Sequence, residues 1–309
     1  MDNRRNGRSF GIAVAALTFA GAVIALLGLS IAARGLGLWA TMVTELGMSA
    51  VAVLAALLLP RKPREIYLPR RPRAKHFFGS VFMFFGAWLI MMSVTVVQTL
   101  LFPQESASVS QGVNDMVTSR GLLPAILVIC VAPAICEEVV FRGTILNALQ
   151  PIRHDWVRIT IVAALFGLMH GDPVRMLPTA ILGGTFAYIV LRTGNILYPM
   201  LWHFANNLFS TLMAFWALNV LSNADADMYE TVSIVDYTAI YIGTVLIAAG
   251  GGALLLYGGQ RRLRGIALAD VNRKRRVRIQ TACLVAMIAG VAVMLAGCGV
   301  MVGKMLHDG

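Results

Sequence analysis

The sequence predicts an all-α, polytopic transmembrane bundle of about eight to nine membrane segments, and three observations predict it. Of the 309 residues, 58% are hydrophobic and only 13% charged, and the mean hydropathy is +0.74, more apolar than a soluble domain built around one core. The apolar residues gather into runs of about twenty, the length a helix needs to cross a hydrocarbon core. Within these runs they do not alternate as they would along barrel strands.

Taken in order, the first run, Phe10 to Ala33, follows Arg4, Arg5 and Arg8. It exceeds the roughly 7 to 15 apolar residues of a signal peptide, so it reads as a retained anchor. Trp39 to Leu59 and His76 to Phe102 complete an N-terminal three-span region, residues 1–120. Gly121 to Leu146, Ile159 to His170, Met176 to Leu191 and Ile196 to Leu221 form a central region, 121–221, and Tyr237 to Gly259 and Thr281 to Val302 a two-span C-terminal region, 222–309. Ile159 to His170 is shorter than the roughly 20 residues a span requires and runs into Gly171, Asp172 and Pro173. A break at membrane depth, or a re-entrant hairpin with the next run, is the expectation. Such a break is tolerated only where protein or a wet cavity satisfies the backbone.

Charge sets the expected orientation. With the N-terminus in the cytoplasm, most of the 26 Lys and Arg residues fall on the cytoplasmic side, in Arg61 to Lys75, Asn147 to Arg158, Arg192 and Arg261 to Arg278, while the acidic loop Asn223 to Asp236 is external. This is the positive-inside pattern of a multi-pass cell-membrane protein. The same asymmetry accounts for a pI of about 10.1 without nucleic acid, because basic loops face anionic lipid. The expected partners are the lipid bilayer and a membrane-associated peptide or protein substrate. Cys130, Cys136, Cys283 and Cys298 lie within apolar runs without ligand spacing, so they read as small packing residues.

Ionisable groups inside apolar runs need a reason, because each costs at least ~2.5 kcal/mol to insert. Three carboxylates, Glu45, Glu137 and Glu138, two histidines, His170 and His203, and Arg142 lie there. Glu138 and Arg142 are four residues apart on one helix face, acid before base, and can neutralise each other. Glu137 is turned about 100° from Glu138 and is left without that partner, free to accept a proton from water. His203 and Asn207 share a face and can both donate to developing negative charge. Measured from Arg158 and Asn195, His170 and His203 lie roughly 18 Å and 12 Å deep, which lets them meet Glu137 in one cavity. Glu45, with no motif around it, reads as a helix-bridging carboxylate. Phe166, Trp202 and Phe204 read as packing aromatics, and Gly183-Gly184 and Gly250 to Gly252 as points of close helix approach.

Three motifs in order carry a resemblance. Cys136-Glu137-Glu138-Val139-Val140-Phe141-Arg142-Gly143, Phe166-Gly167-Leu168-Met169-His170 and His203-Phe204-Ala205-Asn206-Asn207 resemble the EExxxR, FxxxH and HxxxN motifs of the CPBP family, the CAAX protease and bacteriocin-processing (Abi-like) membrane proteins. The resemblance covers roughly Gly121 to Leu221. It implies a glutamate-dependent intramembrane endopeptidase of the type II CAAX prenyl endopeptidase kind. By motif position Glu137 would activate water, His170 would orient that water or the glutamate, and His203 with Asn207 would stabilise the oxyanion, while Glu138 and Arg142 hold the glutamate helix. Family members have been described both as metalloproteases and as metal-independent. The expectation is no obligatory metal, with zinc on Glu137, His170 and His203, two imidazoles and a carboxylate leaving an open position, as the alternative. No HExxH, GxGD or GxSxG pattern is present for another protease chemistry. The rival readings are a non-catalytic bacteriocin-immunity or scaffold protein that binds a partner in the same cavity, and a proton-coupled transporter, for which no inverted repeat speaks.

Overall fold

A computed structural model of the chain describes residues 2–67, 71–221, 234–265 and 273–307, and among them every regular element is helical. The helices are α1 (Asp2–Ala32), α2 (Trp39–Ala56), α3 (Pro63–Tyr67), α4 (Ala74–Leu101), α5 (Pro103–Arg120), α6 (Leu122–Ala148), α7 (Asp155–Met169), α8 (Pro173–Thr193), α9 (Leu197–Leu221), α10 (Ile234–Arg264) and α11 (Arg273–His307), with a 3-10 turn at Arg34–Leu36. Seven of them, α1, α2, α4, α6, α8, α10 and α11, are long and apolar enough to cross a membrane. The chain is an integral, polytopic all-α membrane protein. The fifth apolar run falls short of a span for a physical reason. Helix α7 has only 15 residues, about 22 Å of helix against a hydrocarbon core of about 30 Å. Helix α9 has 25 residues and carries His203, Asn206 and Asn207 among its apolar side chains.

The chain forms two compact units, one of Met1–Arg73 and Ala107–Leu218, the other of Ala74–Ser106 and Asn219–Gly309. The three consecutive sequence regions are thus redistributed: the first two spans join the central region, and the third joins the last two. In the first unit α1 packs on α2, both pack on α6, and α7 pairs with α8. Val14, Ala22, Met48 and Ala52 from α1 and α2 meet Val140, Phe141 and Ile145 of α6 and Phe166 of α7 in one buried cluster. Ser49 Oγ donates to the Cys136 carbonyl (3.2 Å) and Thr144 Oγ1 to the Ala52 carbonyl (3.0 Å), so α2 and α6 run side by side in the same direction.

In the second unit α4 packs on α10 and α10 on α11. The first contact needs glycine on both sides: a Cβ at Gly86 would lie 2.8 Å from the Gly252 carbonyl oxygen, and one at Gly252 would lie 2.7 Å from that of Gly86. Backbone meets backbone there, which is how membrane helices gain packing without a hydrophobic drive between them. The close approach expected of Gly250 to Gly252 is what the helices show.

Helix α6 is not uniform. Ile126–Val131 and Val139–Ile145 are wound as π turns, the wider winding that often marks functional sites. Pro133, between them, has no N–H to give the Ile129 carbonyl four residues earlier. The turn between α7 and α8 is tight. Gly171 takes a left-handed φ of 64°, a region open to glycine at little cost. Asp172 then caps α8 by accepting from the amides of Val174 (2.8 Å) and Arg175 (3.3 Å), and Pro173 opens the helix. The break expected from Gly171-Asp172-Pro173 therefore falls just past His170.

Candidate active site

The two glutamates of α6 have different surroundings. Glu138 and Arg142 are fully buried, and Arg142 Nη1 donates to Glu138 Oε1 at 2.9 Å. Arg142 Nη2 donates to the Gly183 carbonyl of α8 at 2.8 Å, and its guanidinium lies 4.5 Å from the centre of the Phe166 ring and 5.3 Å from that of Phe186. A buried guanidinium needs such neutralising and polarisable neighbours. Arg142 thereby ties α6 to α7 and α8. Gly183 does more than permit close approach, since its carbonyl takes one arm of the arginine.

Glu138 has a second partner that helical spacing does not reveal. His203 of α9 is buried, and its Nδ1 lies 3.0 Å from Glu138 Oε1. A carboxylate here can only accept, so Nδ1 carries the proton and donates it. The ring is fixed by the other nitrogen's bond, as in sites where a histidine must work. Nε2 then faces Glu137, 3.8 Å from Oε2. That gap is too long for a hydrogen bond and leaves the two groups to act on something between them. Glu137 Oε2 is buried with no hydrogen-bond partner in the protein. Thus Glu137 is the unpaired carboxylate and Glu138 the paired one.

His170, at the C-terminal end of α7, has Nδ1 2.9 Å from the Phe166 carbonyl. A carbonyl can only accept, so Nδ1 donates and Nε2 keeps its lone pair. The imidazole lies within electrostatic reach of Glu137 and His203 and packs edge-on to Phe166, ring centres 5.1 Å apart. Phe166 also packs against His203 at 5.9 Å. The residue read as ordinary packing therefore sits between Arg142 and both histidines.

Asn207 Nδ2 donates to the Ile129 carbonyl at 3.1 Å, the carbonyl that Pro133 cannot serve. Its Oδ1 accepts from Asn206 Nδ2 at 3.2 Å, which leaves one Nδ2 hydrogen to give elsewhere. The structure thus brings Glu137, Glu138, Arg142, His170, His203 and Asn207 into one region of α6, α7 and α9. Sequence reasoning misses the Glu138–His203 bond and the carbonyl partners of Arg142, His170 and Asn207. Only the proline four residues after Ile129 signals any of these. Glu45, read from the sequence as a helix-bridging carboxylate, is 6% exposed and lies within electrostatic reach of Glu137.

The candidate zinc ligands Glu137, His170 and His203 do not converge as a set: among the described residues no three His, Cys, Asp or Glu side chains are placed to hold one ion.

The family model described as "Type II CAAX prenyl endopeptidase Rce1-like" matches residues 119–209, the stretch that holds all six residues. From Bacillus subtilis (strain 168), the protein named "Putative membrane peptidase YdiL" is 30% identical over 104 residues, 34% of this chain and 42% of YdiL. "Uncharacterized protein YyaK" of the same organism is 28% identical over 139 residues, 41% of this chain and 45% of YyaK. The matches therefore span less than half the length of these relatives. No solved structure matches the chain.

Proposed function

We propose, from the premise that residues 119–209 are a segment of the CPBP family of membrane proteases, that this chain is an intramembrane endopeptidase. It hydrolyses a peptide bond of a membrane-associated peptide or protein with water activated by Glu137. The observation that carries this reading is the division of labour between adjacent glutamates. Glu138 is spent on Arg142 and His203, whereas Glu137 Oε2 is buried, unpaired and 3.8 Å from His203 Nε2.

In this reading His170 Nε2 accepts a hydrogen bond from water and turns it toward Glu137, which takes the proton as the water oxygen bonds to the carbonyl carbon. Negative charge moves to the carbonyl oxygen, where the second Nδ2 hydrogen of Asn207 can meet it. His203 helps only as imidazolium, because its Nδ1 hydrogen is already committed to Glu138 and a neutral ring would have none on Nε2. The proton on Glu137 then passes to the departing nitrogen as the carbon–nitrogen bond breaks. Burial strengthens each of these electrostatic contacts relative to water.

The test is comparative proteomics of membrane fractions from cells that carry the native protein or Glu137→Gln. The expected result is at least one peptide that appears shortened only with the native protein. Identical peptide lengths in both would refute the endopeptidase reading and favour the immunity or scaffold alternative.

A further inference from the structure

We infer that Glu45 supplies an anionic subsite beside Glu137 that takes a cationic side chain of the substrate next to the scissile bond. This deepens the endopeptidase reading and rests on it. Helix α2 runs parallel to α6 with Ser49 bonded to the Cys136 carbonyl and Thr144 to that of Ala52. Glu45 is one turn before Ser49 on the same face, which sets it level with the α6 turn that leads into Glu137. Its carboxylate acts electrostatically on both Cys136 and Glu137.

Glu45 is 6% exposed, and its Oε2 is fully buried with no hydrogen-bond partner in the protein. Among the described residues no basic side chain pairs with it: Arg142 is engaged by Glu138, Gly183 and the aromatic rings. Arg142 acts on Glu138 and Glu137, which leaves Glu45 without a basic neighbour among the described residues, in a region of low dielectric. An unpaired buried carboxylate is costly to keep, and pairing with an arriving cation removes that cost. A peptide threaded past Glu137 would bring such a group if a lysine or arginine flanked the bond to be cut. Membrane proteins carry these residues at their cytoplasmic juxtamembrane ends, so the subsite would select among apolar segments by the one feature that distinguishes them.

The experiment uses the full chain in phosphatidylcholine nanodiscs, as wild type, Glu45→Gln and Glu45→Asp. In the binding arm, octylammonium and octanol are titrated and thermal stabilisation is read, since a ligand that binds the folded state raises its stability. Octylammonium should stabilise the wild type at concentrations about tenfold lower than Glu45→Gln, Glu45→Asp should retain most of that preference, and octanol should not distinguish the three. Equal stabilisation of wild type and Glu45→Gln by octylammonium, or none in either, overturns the subsite. Should Glu45→Gln fail to fold, Glu45→Met supplies the uncharged comparison. In the cleavage arm, single-span peptides carrying lysine or norleucine at each juxtamembrane position are mixed with the same proteins. Lysine should be enriched beside wild-type cut sites, and the enrichment should fall about tenfold in Glu45→Gln. Unchanged enrichment also overturns the proposal. A library left entirely uncut by wild type counts against the endopeptidase reading instead, and the binding arm then decides the subsite by itself.

Discussion

At the scale of single residues, adjacent Glu137 and Glu138 should fail in different ways when changed. Glu137 makes no hydrogen bond that the fold depends on, so Glu137→Gln should abolish cleavage, a loss of at least about a thousandfold, with yield and thermal stability near those of the native protein. Cleavage assays beside size-exclusion profiles check this, and retained activity would remove Glu137 from its role. Glu138→Ala strips the charge partner from fully buried Arg142 and the orienting acceptor from His203. Breaking a buried pair by removing one partner costs about 3–5 kcal/mol, so this variant should lose both folding yield and activity. Glu138→Ala combined with Arg142→Met should recover part of the yield without recovering activity, because the stranded charge is gone but His203 is still unheld. Recovery of both would mean that Glu138 matters only to Arg142.

At the scale of elements, the α7–α8 pair sets where His170 stands, and its contact is backbone against backbone. A Cβ at Gly167 would lie 2.5 Å from the Met176 carbonyl oxygen, which cannot move without parting the helices. Gly167→Ala should therefore lower stability and activity together, although alanine is intrinsically the better helix former by about 1 kcal/mol. Gly28→Ala on α1, where nothing lies within 4 Å, should be neutral or slightly stabilising. Equal melting temperatures for the two variants would contradict the packing. The N-terminus of α7 carries a pH signature. The hydrogen bond from Arg158, opposed by partial burial and aided by Arg192 at 3.0 Å, holds the Asp155 carboxyl below the usual carboxylate range. A group whose pKa is lower when folded contributes stability that is present above its unfolded value, about 3.9, and is lost as pH falls through the folded value. The difference in melting temperature between the native protein and Asp155→Asn should be constant at neutral pH and shrink once the pH drops below about 4. A difference that persists in acid would mean the contact is not one of charge.

At the scale of the whole molecule, the expected sidedness can be read by labelling. Arg153, in the turn between α6 and α7, and Gln111, on the polar helix α5, are both exposed. On an otherwise cysteine-free chain, Arg153→Cys should react with a membrane-impermeant thiol reagent only in inside-out vesicles, and Gln111→Cys only from outside the cell. The reverse pattern would invert the orientation and move substrate access to the external face. Asn195, the cytoplasmic marker used to gauge the depth of His203, is unsuited to this test because it is buried. The acidic loop from Asn223 lies almost wholly outside the described residues.

Much of this was legible in the residues themselves. Long apolar runs can be satisfied only as helices in lipid, and a lone Glu138–Arg142 spacing announces a pair, because these depend on composition and on the fixed 3.6-residue period of one helix. The turn after His170 was equally plain, since glycine, aspartate and proline each have a local conformational reason to stop and start a helix there. Other features lay beyond that reach. That His203 bonds Glu138, that the Gly183 and Ile129 carbonyls hold Arg142 and Asn207, and that Glu45 comes within reach of Glu137 are facts of which helix lies beside which and in what register. Residue spacing along a chain fixes directions around one helix axis, but the rotation and vertical shift between two helices are set by the whole packed interface. Tertiary structure alone therefore decided that His203 joins Arg142 on Glu138 and that Glu45 stands within reach of Glu137.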